Sequence, residues 1–265
     1  MTLLRQNLKL AADLARRDLV ARNKRSLLGW LWLLLTPLCL LATYYVIFGM
    51  LFNVTWHGPA GSDGGDPAGF ALPFFAGLTL YLFFADVVNS STVVFTGKRD
   101  FVVKTAFPLW VLWLSNLLRA AAQASISLIL VLLLALVQQR LALAGVGWAA
   151  LSLVPTLIFI AGLSLALCAL GPFIGDISEA NRLLLRVLFY ATPISYPVSL
   201  IPDRYQFLIW LNPLTTMVES LRASVAFGTH IPFATWGLFS LFALLLLALG
   251  AWLFNRVKGV VSDVV

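Results

Sequence analysis

Residues 17–37 read RDLVARNKRSLLGWLWLLLTP, a cationic stretch that passes without a break into an apolar one. Arg16, Arg17, Arg22, Lys24 and Arg25 precede the apolar run, Trp30 and Trp32 stand in its first turn, and Pro37 follows. Cationic side chains favour the cytoplasmic leaflet with its anionic lipids, and Trp favours the headgroup boundary. The pattern predicts an N-terminus on the cytoplasmic side and a first crossing that starts near residue 28, which orients everything downstream. Composition supports a membrane chain. Of 265 residues 61% are hydrophobic and 11% charged, with a mean hydropathy of +0.94, whereas soluble domains carry about 25% charged residues. A chain this apolar has too little polar surface to face water.

A crossing helix needs about 20 apolar residues. Residues 1–26 alternate Leu with Arg and Lys at roughly helical spacing, which predicts an amphipathic helix along the interface. Apolar runs then predict spans at 28–52, 70–95, 109–137, 148–173, 183–197 and 231–254. Between the first two lies HGPAGSDGGDPAG, residues 57–69, whose Gly and Pro content predicts an external loop. Residues 97–108, GKRDFVVKTAFP, and 175–182, GDISEANR, fall on the cytoplasmic side by alternation, the latter as a turn, and 138–147 reads as a short external turn. The fifth span ends early at Pro193 or Pro197. Residues 193–228 are semi-apolar and broken by prolines, so they predict short re-entrant helices on the external side, held where protein or a wet cavity satisfies their backbone. The expected fold class is therefore all-α, one polytopic membrane domain over 1–265 with six transmembrane helices.

The charges fit this arrangement. Predicted inside flanks hold Arg5, Lys9, Lys98, Arg99, Lys104, Arg182, Arg186, Arg256 and Lys258 besides the N-terminal cluster, and outside segments hold only Arg140, Arg204 and Arg222. Both termini are expected in the cytoplasm, with membrane lipid as the partner of the basic edges. That distribution accounts for the net charge of +7 without nucleic acid. Cys39 and Cys168 lie inside apolar runs and give neither a disulfide framework nor metal spacing. The only histidines, His57 and His230, fall in predicted loops, so no metal site and no His-based nucleophile is expected. No phosphate-binding G-x-x-x-x-G-K-[ST] run occurs, so ATP and Mg would act on another chain. An intramembrane enzyme would need a nucleophile and base or several carboxylates, and Asp86 is the one clear acid within a span.

Four stretches, RDLVARNKRSLLGWLWLLLTPL, KRDFVVKTAFPLWVLWLSNLL, GPFIGDISEANRLLLRVLFYATPISYPVSLIP and LNPLTTMVESLRASVAFG, occur in that order. Together they resemble the permeases of ABC type-2 exporters, most closely the polysaccharide and polyol-phosphate branch that exports O-antigen, capsule or teichoic acid. Asn212 followed by Pro213, then Glu219 and Arg222, is the most specific patch. Gly175 and Asp176 stand where the family usually has an Arg-Asp pair. The resemblance implies a homodimer on two ATP-binding subunits that carry ATP and Mg, moving lipid-linked polysaccharide across the inner membrane. A teichoic-acid-type or small-molecule exporter is the alternative within the class.

The resemblance also distributes roles. Arg17, Arg22, Lys98, Arg99, Asp100 and Lys104 would meet the ATPase, although a basic loop at a membrane edge needs no partner. Pro193, Asn212, Pro213, Glu219 and Arg222 would belong to an external gate. Glu219 and Arg222, one turn apart, either pair on their own helix or hold the gate across the dimer. Arg119 sits about three turns into its span. It would either snorkel to the cytoplasm or face the conduit and a pyrophosphate headgroup. Tyr44, Tyr81, Phe84, Tyr190 and Tyr196 are candidate sugar-stacking residues of the conduit, against a packing or belt role.

Overall fold

The computed structural model describes residues 2–24, 28–52, 54, 56, 68–103, 107–140 and 142–261. Residues 57–67, most of the expected external loop, and Arg25 and Lys104 of the basic edge lie outside the described residues. The described chain is all-helical: α1 (Thr2–Lys24), α2 (Trp32–Tyr44), α3 (Ala68–Ser91), α4 (Arg99–Val103), α5 (Leu109–Val137), α6 (Leu143–Leu170), α7 (Ile177–Ala191), α8 (Asp203–Leu211), α9 (Pro213–Phe227) and α10 (Phe233–Val257).

Among the described residues, five helical stretches are long and apolar enough to cross a bilayer: Trp32–Leu51, Gly69–Ser91, Leu109–Val137, Leu143–Leu170 and Phe233–Val257. This is a polytopic membrane protein. The first of these joins α2 to a wider turn over Tyr45–Leu51, where the Phe52 amide donates five residues back to Ile47. The predicted fifth span, 183–197, is corrected. The helix there runs over Ile177–Ala191, 15 residues, or about 22 Å at 1.5 Å per residue, against a hydrocarbon core of about 30 Å. Residues 177–182, expected as a turn, form its first turns, and Thr192 ends it just before Pro193. Glu179 pairs with Arg182 on its exposed face, so charged residues occupy length that an apolar span would need. Residues 143–147, expected as loop, open α6.

Lipid tails are as apolar as Leu, so membrane helices associate by close packing and interhelical hydrogen bonds. Both are present. The most extensive contact joins α6 to α10 through facing glycines. A Cβ on Gly250 would stand 2.3 Å from the Gly162 carbonyl oxygen, and one on Gly162 would stand 2.6 Å from Leu247 Cα. The two backbones meet because neither carries a side chain there. Hydroxyls supply the second kind of contact. Ser91 Oγ and Ser164 Oγ share a hydrogen bond of 2.7 Å between α3 and α6, and Asn116 Nδ2 on α5 reaches Ser91 Oγ at 3.4 Å. The central α3 is buried along most of its length, whereas α2, α5 and α10 present apolar side chains outward.

The amphipathic N-terminal helix is present as α1. Ala11, Leu14 and Ala15 are buried against α5, while Leu3, Leu4 and Leu8 are exposed. At the opposite end, the segment after α7 folds back as α8 and α9. α9 is buried on α3 and α6 along nearly its whole length, so protein surrounds that part of the proline-broken stretch, whereas α8 has no buried residue.

Candidate functional site

Asn212 and Pro213 build the start of α9. The Asn212 Oδ1 accepts the Leu214 amide at 3.0 Å, the N-cap bond, and Pro213 takes the first helical position, where a missing N–H costs nothing. The Asn212 amide donates to Thr192 Oγ1 at 2.9 Å, tying the start of α9 to the end of α7. Gly228, at φ 65, closes the helix in the left-handed region.

Two turns into α9, Arg222 is the largest fully buried side chain among the described residues and only 1% exposed. Glu219 accepts from its Nη1. Its Nε donates to the Pro73 carbonyl on α3 at 3.0 Å, and its Nη2 to the Ile194 carbonyl beside Pro193 at 3.0 Å. The guanidinium carbon lies 4.0 Å from the centre of the Trp56 ring. Gly77 makes this possible: a Cβ there would come within 2.8 Å of Arg222 Nη2 and 2.9 Å of Val218 Cγ1. One guanidinium thus joins α3, α9, the 193–197 corner and Trp56. Glu219 and Arg222 pair with each other, and the pair also reaches other elements of its own chain.

The candidate aromatics divide. Tyr44 stacks on Phe74 at 5.0 Å and meets Phe189 at 5.7 Å; Tyr81 meets Phe189 edge-on at 5.0 Å, and Phe189 meets Tyr190 at 5.2 Å. The Tyr81 hydroxyl donates to the Leu185 carbonyl at 2.5 Å, and the Tyr196 hydroxyl to the Tyr190 carbonyl at 2.8 Å. Tyr44, Tyr81, Tyr190 and Tyr196 therefore form one connected row between α2, α3 and α7. Tyr190 stands at its outer end with 70% of its surface exposed. Phe84 is buried elsewhere, against Phe159 at 6.4 Å. Phe189, the hub of the row, escaped the sequence reading because a Phe in an apolar run carries no distinguishing signal.

Arg119 does not snorkel. It is 6% exposed, and its Nη1 donates to Asp86 Oδ2 at 2.9 Å, with Ser90 Oγ and Asn116 Oδ1 each at 3.2 Å from Nη2. A cation inside an apolar helix is costly unless paired, and the one acid in α3 supplies the partner.

At the end of the molecule that carries α1, Lys98 Nζ donates to Asp18 Oδ2 at 2.6 Å, joining the turn after α3 to α1. Arg17, Arg99 and Asp100 are exposed beside it. Arg22 belongs to α1, but its side chain, like Lys104, lies outside the described residues. Asp18, which the sequence reading passed over, is the residue that links the two coupling candidates.

Comparison with known proteins places this geometry in a lineage. The chain is 26% identical to an O-antigen export system permease protein, RfbA, of Klebsiella pneumoniae over 246 residues, 92% of this chain and 90% of that protein. It is 27% identical to an RfbA of Myxococcus xanthus across 81% of this chain and 79% of that one. It is 22% identical to the polysialic acid transport protein KpsM of Escherichia coli across 90% of each. The family profile described as ABC-2 type transporter matches residues 12–226, from the buried face of α1 to the end of α9, and the chain belongs to that family.

Proposed function

We propose that this chain is the membrane-spanning subunit of an ATP-driven exporter that moves lipid-linked polysaccharide across the inner membrane. The observation that carries the reading is the end-to-end similarity to permeases named for O-antigen export and polysialic acid transport, which spans 79–90% of their length. As a member of the family, the chain is a transport subunit rather than an enzyme. ATP hydrolysis, with its Mg, belongs to two ATP-binding subunits, on which two copies of this chain sit.

In this reading α7 is a short fifth crossing, completed by the polar corner at 192–197. The chain then crosses six times and keeps both termini in the cytoplasm, as its basic edges favour. Arg17, Arg22, Lys98, Arg99, Asp100 and Lys104 face the ATP-binding subunits, and the bond between Lys98 and Asp18 passes their closure from the 97–108 loop to α1. The 193–228 segment forms the external gate, with Pro193, Asn212, Pro213, Glu219 and Arg222 holding α9 to α3 and α7. The aromatic row that ends in exposed Tyr190 offers ring faces to the apolar C–H faces of sugars.

An in-frame deletion tests the reading. Loss of surface polysaccharide, with full-length polymer on its lipid carrier stranded in the cytoplasm, is the expected result. Normal surface polysaccharide in the deletion strain would overturn it.

A further inference from the structure

The ends of three crossing helices enclose a groove of about 550 Å³ that the export reading does not use. The start of α5 lines it with Trp110 and Trp113, the end of α10 with Ala251, Phe254, Asn255 and Lys258, and α6 with Leu165. It stands at the end of the molecule that carries α1, whose Ala11 and Leu14 share a buried cluster with Phe254 and Leu165. It begins one residue beyond Gly250, where α10 meets α6 backbone to backbone.

The lining is graded. Ala251, Phe254, Asn255 and Lys258 stand at i, i+3, i+4 and i+7, so they share one face of α10. That face turns from apolar to polar over about 10 Å, at 1.5 Å per residue, toward the helix end. A lipid upright in its leaflet has the same gradient, with its chain toward the bilayer centre and its headgroup toward water. Trp110 and Trp113, both half-buried, stand where indoles mark the headgroup boundary. At the deep end Ala251 is the smallest side chain of the lining and leaves space for a chain.

Charge selects the headgroup. Lys258 is exposed, and its Nζ donates to Asn255 Oδ1 at 2.9 Å, a neutral acceptor that takes none of its charge. Among the described residues no Asp or Glu lines the groove. Basic pockets between membrane helices hold anionic headgroups. An ethanolamine ammonium would find no carboxylate here. A pyrophosphate brings more than one negative charge to a single lysine, since Arg256 stands over the Trp252 ring at 5.6 Å and does not line the groove. A phosphodiester that carries hydroxyls fits both groups: one charge for Lys258, and hydroxyls for the Asn255 amide, which donates and accepts.

We infer that this groove is a site for one molecule of phosphatidylglycerol. Its phosphodiester meets Lys258, its glycerol hydroxyls meet Asn255, and an acyl chain runs past Trp113 and Phe254 toward Ala251. This is a defined site, unlike the general attraction of basic edges for an anionic surface, and its occupant is a resident lipid and not cargo. Only the leaflet, cytoplasmic in the proposed orientation, rests on the export reading.

The test places the full chain in phosphatidylcholine nanodiscs with a trace of phosphatidylglycerol that bears a diazirine on one acyl chain. Light-induced label is expected on the peptides that hold Trp110 to Trp113 and Ala251 to Lys258. Unlabelled phosphatidylglycerol should compete it away, and phosphatidylethanolamine should not. Lys258→Gln should lower labelling about tenfold, the loss of one hydrogen bond to a charged group. Ala251→Phe should lower it with Lys258 still in place. Because Lys258 is exposed, Lys258→Gln should leave thermal unfolding unchanged, so lost labelling would not reflect misfolding. Absence of label from both peptides, labelling unchanged in Lys258→Gln, or equal competition by phosphatidylethanolamine would each overturn the inference. Stronger competition by undecaprenyl pyrophosphate than by phosphatidylglycerol would overturn it too. No ATP, polymer or partner subunit is present in the nanodiscs. Normal surface polysaccharide in the deletion strain together with a labelled groove would therefore remove the export reading and leave the lipid site. Stranded polymer with an unlabelled groove would do the reverse.

Discussion

At the scale of single residues, Arg222 is the side chain on which the most elements converge. Its guanidinium is satisfied by Glu219, two carbonyls and an indole ring, all within one chain. Arg222→Leu would leave Glu219 buried and unpaired, and breaking such a pair costs about 3–5 kcal/mol. Thermal unfolding of the purified variant in detergent should show that loss. Replacing both partners, Glu219→Leu with Arg222→Leu, should recover part of it, since no uncompensated charge remains. Gly77→Ala should reproduce a milder form, about 1–3 kcal/mol of overpacking, because its Cβ falls where Nη2 and Val218 Cγ1 now sit. If Gly77→Ala is as stable as the parent, Arg222 has room to move and the tie is loose. None of this was visible in sequence beyond the pairing of Glu219 with Arg222. A carbonyl acceptor has no residue-type signature, and Pro73 lies 149 positions from Arg222.

At the scale of elements, the long spans were legible because twenty apolar residues leave a chain few alternatives, and α5 begins and ends where the sequence predicted. The miss at α7 has a physical cause. Hydropathy discounts Glu179 and Arg182, yet helix formation tolerates charged residues on an exposed face, so the helix starts six residues earlier than the apolar run. The tie between α1 and the turn after α3 was half legible. Lys98 stood out as basic, but Asp18 had no reason to be matched with it across 80 positions. That pair is partly exposed, 20% and 34%, so it contributes about 0–1 kcal/mol to stability. Lys98→Glu should therefore leave unfolding nearly unchanged while lowering export several-fold, and Asp18→Lys added to it should restore export. Export that is unaffected by Lys98→Glu would mean that motion reaches α1 by another route.

At the scale of the whole molecule, a tightly packed side stands against helices that face outward. Glycine contacts between α6 and α10, and the hydroxyl links among α3, α5 and α6, make one rigid side. The aromatic row runs from the buried α3, through Tyr81, to α2 and α7, which leave much of their surface outward and end it at the exposed Tyr190. Such surfaces suit contact with a second copy, with lipid and with a passing polymer, whereas the glycine contact itself suits none of these. Substrate class is what similarity to relatives supplies and what no distance in the fold contains. The direct measurement of it is ATP-dependent movement of polymer in inverted membrane vesicles whose lipid-linked polysaccharide carries radiolabelled sugars. Periodate, which cuts vicinal diols and does not cross the bilayer, reports which polymer remains outside. With this chain and its ATP-binding subunits present, added ATP should convert periodate-sensitive label to protected label. Label that stays equally sensitive with and without ATP would contradict polysaccharide export by this protein.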